Sequence, residues 1–96
     1  MAELSVAAAR VELHVHGSQS LKAKRGVVNS IKQRVRNKFN VSIAEVGGQD
    51  TWQIAVLGMA AVSEDAQDAR VRLEKAIDFI VELHLAEVID QEVEIL

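Results

Sequence analysis

Apolar and polar positions recur along the chain with two periods, and the switches between them mark out its elements. From Val6 to Val15 the sequence is rich in valine and alanine. In its second half Val11, Leu13 and Val15 alternate with Arg10, Glu12, His14 and His16, the period of a strand with one buried face. Gly17 breaks the run, and Ser18 and Ser20 are both able to accept backbone N–H groups where a helix begins. Leu21, Val28, Ile31, Val35 and Phe39 then keep the three-and-four spacing of one helical face, and Asn40 suits a left-handed C-terminal cap. Val41 to Val46 reads as a strand, and Gly47, Gly48 and Asp50 supply a hairpin connection. The next strand runs from Thr51 to Val62. Ser63 is placed to cap a second helix whose opening acids, Glu64, Asp65 and Asp68, suit the positive end of its dipole. Leu73, Ile77, Ile80 and Leu83 or His84 continue its apolar face to about Leu85. Glu87 to Ile95 alternates again, with Ile89, Val93 and Ile95 on one side and Asp90, Glu92 and Glu94 on the other.

The order βαββαβ predicts an α+β domain of the ferredoxin-like type: a four-stranded antiparallel sheet with two helices on one face. Right-handed crossovers place the first and third strands centrally. The Thr51 to Val62 strand agrees, being apolar on both sides: Trp52, Ile54, Val56 and Val62 on one, Leu57 and Met59 with Ala55 and Ala61 on the other. Because one sheet face carries no helices, Leu57 and Met59 are read as apolar residues on that open face. With Trp52 they form a candidate interface, most simply for a second copy of the chain.

The chain has 96 residues, room for one domain spanning 1–96. With no cysteine it has no disulfide, thiolate zinc site or cysteine nucleophile. No apolar run approaches the roughly 18 residues of a membrane span. Met1 to Arg10 lacks the layout of a secretion signal, so the expected address is the cytoplasm. The net charge of −3 is a difference between unlike halves. Residues 1–44 hold eight Lys and Arg against Glu3 and Glu12, a net of +6, whereas residues 45–96 hold three against twelve acids, a net of −9.

The basic charge is concentrated on the first helix. From Leu13 to Ala44 there are Lys22, Lys24, Arg25, Lys32, Arg34, Arg36 and Lys38 and no acid. At about 100° per residue, Lys22, Arg25, Lys32 and Arg36 share roughly a quarter of the helix circumference. Cations in the first turn oppose the dipole by a few tenths of a kcal/mol each, so helix stability does not call for them there. Free N–H groups at the helix start, the hydroxyls of Ser18 and Ser20, and Lys22, Lys24, Arg25, Lys32 and Arg36 make a candidate phosphate-binding set. A merely solvating face would mix signs; the single sign ranks polyanion binding ahead of it. Base stacking on the sheet is excluded, because the first strand has no aromatic residue and the third has only Trp52, at its start.

The runs Val11 to Arg25 (VELHVHGSQSLKAKR) and Phe39 to Gln53 (FNVSIAEVGGQDTWQ), with the closing EVEIL of Glu92 to Leu96, resemble the YlxP-like family of small bacterial proteins of unknown function, domain of unknown function 503. The similarity covers essentially the whole chain. It implies a ferredoxin-like fold and a bacterial, cytoplasmic protein often encoded among genes for transcription termination, translation initiation and ribosome maturation. The expected partner is therefore RNA or a ribosomal subunit, with a homodimer as the competing expectation and no membrane partner. The resemblance brings no catalytic residues.

Enzyme chemistry is not expected. No Ser-His-Asp set, Walker loop or dinucleotide fingerprint is present. Acylphosphatase also places a phosphate-cradling loop after its first strand, but Arg25 falls inside the helix and no matching asparagine is assigned. His14 and His16 share one side of a strand, with Glu12 beside them; a third ligand would have to come from a neighbour such as Glu92 or Glu94. Two imidazoles without a complete ligand set read as solvated histidines, so neither metal nor cofactor is expected.

Overall fold

A computed structural model describes residues 3–96; Met1 and Ala2, part of the expected 1–96 domain, lie outside the described residues. Six elements follow the expected order: β1 (Ser5–His14), α1 (Leu21–Lys38), β2 (Ser42–Gly47), β3 (Ile54–Ser63), α2 (Ala66–Leu83) and β4 (Glu87–Ile95). The strands form one sheet in the order β2-β3-β1-β4, every neighbouring pair antiparallel, so β1 and β3 are central as expected.

Register decides what the core contains. Ala7, Ala9, Val11 and Leu13 of β1 stand opposite Ala61, Met59, Leu57 and Ala55 of β3, and all eight are buried against the helices. Val28, Ile31 and Val35 of α1 and Leu73, Ile77 and Ile80 of α2 close over them. This corrects the expected interface: Leu57 and Met59 are core residues facing the helices. The residues of β3 that reach the open face are Ile54, Val56, Gly58, Ala60 and Val62. Both parities of this central strand are apolar, so alternation alone does not say which side the helices cover.

Local capping differs from expectation in two places and a strand boundary in a third. Asp65, rather than Ser63, is the N-cap of α2, its carboxylate accepting from Gln67 N–H at 3.0 Å. Ser63 Oγ instead accepts from Asp65 N–H at 3.2 Å and donates to Asp68 Oδ2 at 2.8 Å. α1 ends at Phe39 in extended conformation, so Asn40 is not a left-handed cap; that geometry occurs at His84 after α2, with φ 53°. Residues 51–53 belong to the β2–β3 connection, although Val15 N–H still donates to Gln53 O at 2.7 Å.

Two bulges reshape the edges. β4 carries one extra residue, Ile89, between the pairs Glu12–Asp90 and Leu13–Val88. β2 carries Val46 between the pairs Glu45–Leu57 and Gly47–Val56. Gly58 leaves room for that bulge: a Cβ there would stand 3.1 Å from the Val46 side chain.

Candidate functional site

The basic set of α1 divides by burial. Lys22, Arg25 and Arg36 are exposed and Lys32 is partly so, on the side of the helix that borders β2. The Arg36 guanidinium fixes this placement by donating to Ile43 O of β2 at 2.9 Å. Among the described residues none of these four forms an ion pair. Arg10, Arg70 and Arg72, by contrast, lie 3.3, 3.5 and 2.8 Å from Glu12, Glu74 and Asp68. The other two exposed cations of α1 are occupied locally: Arg34 Nε donates to Ser30 Oγ at 3.1 Å, and Lys38 Nζ sits 4.8 Å from the Phe79 ring centre.

Lys24 is not part of this surface, which corrects its assignment as a phosphate contact. Its side chain is 1% exposed. The ammonium points inward beneath the β2–β3 connection and donates to Gly48 O, to Thr51 O at 2.7 Å and to Ile54 O at 3.0 Å, with Glu45 Oε2 at 3.8 Å. Three donors meet three carbonyls, and the carboxylate supplies the countercharge. Ser18 is also buried, its hydroxyl donating to Ser20 O at 3.1 Å, and Ser20 Oγ accepts from Ala23 N–H at 3.0 Å as the N-cap of α1. Both hydroxyls build the helix start: that of Ser18 is buried and gives its hydrogen to Ser20 O, whereas exposed Ser20 Oγ only accepts and keeps its own O–H to donate.

Trp52 behaves otherwise: it is 55% exposed, standing in the β2–β3 connection. With Val46, Val56 and Val62 it gives the β2–β3 half of the open face an apolar character. The β1–β4 half is charged, with Arg10 between Glu12 and Asp90 and with Glu92 and Glu94 beyond. At the far end of that half His14, His16 and Glu87 converge, a grouping sequence reasoning missed because it sought the third ligand at Glu92 or Glu94.

The β2-β3-β1-β4 sheet with both helices on one face defines a small ferredoxin-like α+β protein whose conspicuous surface is an unpaired basic stripe. It belongs to the family described as "Protein of unknown function (DUF503)", which matches residues 6–93. A similar relative is "Uncharacterized protein YlxP" of Bacillus subtilis (strain 168), 46% identical over 72 residues, 75% of this chain and 78% of that protein. Among solved structures the chain is similar to the de novo designed protein Foldit4, with a TM-score of 0.55 at 17% identity, covering 98% of this chain and 97% of that one. It is also similar to a C-terminal segment of the alpha subunit of aIF2 from Pyrococcus abyssi, with a TM-score of 0.52 at 12% identity, covering 98% of this chain and 50% of that one. At such identities both structural likenesses concern the fold alone. Among the described residues no helix is long and apolar enough to cross a membrane.

Proposed function

We propose that this protein is a non-enzymatic cytoplasmic binding factor that docks α1 onto the phosphates of structured RNA, such as a ribosomal subunit, through Lys22, Arg25, Lys32 and Arg36. The observation that carries this reading is that, among the described residues, these four side chains have no carboxylate partner, whereas Arg10, Arg70 and Arg72 each have one. Like charges along one helix repel, and a polyanion that neutralises them together gains Coulomb energy and releases counterions. Such contacts fix position rather than read sequence, so binding should be steeply salt-dependent and tolerant of sequence. With Lys24 and Ser18 buried, the surface narrows to one stripe beside edge strand β2, with the Ser20 hydroxyl at its start. The test is co-sedimentation with ribosomal subunits, and binding to structured RNA, at low and high salt. Reversing Lys22, Arg25 and Lys32 to Glu should abolish binding while leaving the circular dichroism spectrum intact. Retention of wild-type affinity by that variant sinks the proposal.

A second reading, a homodimer or interaction module formed through the open sheet face, is favoured by the exposure of Val46, Trp52 and Val62 on its β2–β3 half. Light scattering of wild type and Val62→Glu separates the two: a dimer lost in the variant supports this contact, and a monomer in both removes it. Leu57 is unsuitable for that test, because a charge there enters the core.

A further inference from the structure

We propose that His14, His16 and Glu87 form a site for a divalent transition-metal ion of the zinc class, independent of the α1 stripe. Two of the three side chains, His14 and Glu87, form a cross-strand pair, and His16 lies just beyond the end of β1. His14 and His16 lie two residues apart on the open face at the end of β1, and Glu87 opens β4 directly opposite His14. His16 Nε2 stands 3.1 Å from His14 Nδ1 and 2.7 Å from Glu87 Oε1, and all the candidate ligand atoms lie within 4.8 Å of one another. Ligand atoms held about 2.0–2.1 Å from a tetrahedral ion are spaced by roughly 3.3 Å, so a small opening of this cluster admits one.

Proton counting favours a cation over a closed hydrogen-bond network. His16 Nε2 carries at most one proton. If it donates to Glu87, it does not also give His14 Nδ1 a proton of its own; if it accepts from His14 Nδ1, its lone pair faces the Glu87 oxygen at 2.7 Å. In either arrangement one close contact lacks a hydrogen. A divalent ion receives all three lone pairs at once. Two imidazoles and a carboxylate form a ligand set that zinc uses with further positions left open.

The backbone supplies a second, independent observation. Counting down β4 from the Glu12–Asp90 pair without interruption would put Val88 opposite His14. The extra residue Ile89 shifts the register by one, so Glu87 takes that place and Val88 turns to pair with Leu13 against the core. A bulge that exchanges a valine for a carboxylate beside two imidazoles is the re-aiming use to which bulges are put next to functional sites. His16 and Glu87 also border an open cavity of about 440 Å³, lined further by Val81, His84 and Leu85, which gives the ion's remaining positions access to water or a small ligand.

Zn²⁺ titrated into the untagged full chain, followed by calorimetry, with the visible absorption of Co²⁺ as a second readout, tests this directly. The expected result is one ion per chain, with affinity reduced at least about tenfold in His14→Ala, His16→Ala and Glu87→Gln. Glu92→Gln and Glu94→Gln, which alter carboxylates of the same strand outside the cluster, should bind as wild type. Circular dichroism should find each variant folded, as the exposure of His16 and Glu87 leads one to expect. The proposal is overturned if the wild type takes up no Zn²⁺ at millimolar concentration, or if binding survives in the His14→Ala/His16→Ala double variant.

Discussion

Lys24 of α1 and Glu45 of β2 face each other at 3.8 Å under the β2–β3 connection, with the ammonium and Glu45 Oε2 withdrawn from water. Glu45 Oε2 has no hydrogen-bond partner of its own, so its compensation is the ammonium's charge. Lys24→Met would leave that carboxylate without its countercharge and the carbonyls of Gly48, Thr51 and Ile54 without their common donor. Breaking a buried pair from one side costs about 3 kcal/mol or more. The thermal midpoint should fall by roughly 12 °C or more. Glu45→Gln should cost less, because the ammonium keeps its three carbonyls. Thermal melts of the two variants check both the size and the order, and a drop below about 1 kcal/mol for Lys24→Met would contradict the buried contact.

The α1 stripe predicts a specific response to salt. A plot of log affinity for structured RNA against log salt concentration should be linear, and replacing Lys22 by Met should lower its slope by about 1 with little change in stability. Arg36→Met should differ, lowering affinity and also stability, because its guanidinium holds Ile43 O. An unchanged slope for Lys22→Met places the phosphates elsewhere.

Asp68 predicts an acid-side change. The Ser63 hydroxyl donates to its carboxylate, with the Arg72 guanidinium beside it, and together they hold its pKa below the ordinary 3.8. A folded-state value below the unfolded one means a contribution present above the unfolded pKa and lost as pH falls through the folded one. The stability difference between wild type and Asp68→Asn should therefore shrink as pH is lowered from about 5 to about 2. Urea unfolding across that range measures it. A difference that grows toward acid would reverse the assignment.

The two faces of β3 should respond unequally to truncation. Leu57→Ala removes fully buried methyl groups between the helices and β1 and should cost about 2–5 kcal/mol. Val62→Ser, on the exposed parity, should stay within about 0.5 kcal/mol in the monomer. Equal effects would return Leu57 to the open face.

The element order, the central strands and the α1 helix were legible in the sequence because period and punctuation are local properties. Three things were not. The direction of β3 depends on which of two apolar parities the helices cover, a tertiary choice. Lys24 sat in a basic run and was read with it, yet positions 24, 28, 31 and 35 follow the i, i+4, i+7, i+11 spacing of the buried face, the signal that places it inside. Glu87 was hidden by Ile89: register counted without a bulge pairs His14 with Val88, and nothing in the alternating run around Ile89 announces the extra residue.

Arg36 closes one further question, about how copies of this protein coexist. Strand β2 is an outer strand, and an outer strand's unmet carbonyls invite another chain to extend the sheet. By engaging Ile43 O, the guanidinium makes any incoming strand displace a charged donor first. Lys22, Arg25 and Lys32 meet its twin with like charge. The residues proposed to seek a polyanion thus also set a single sign of charge along the outer edge of the sheet.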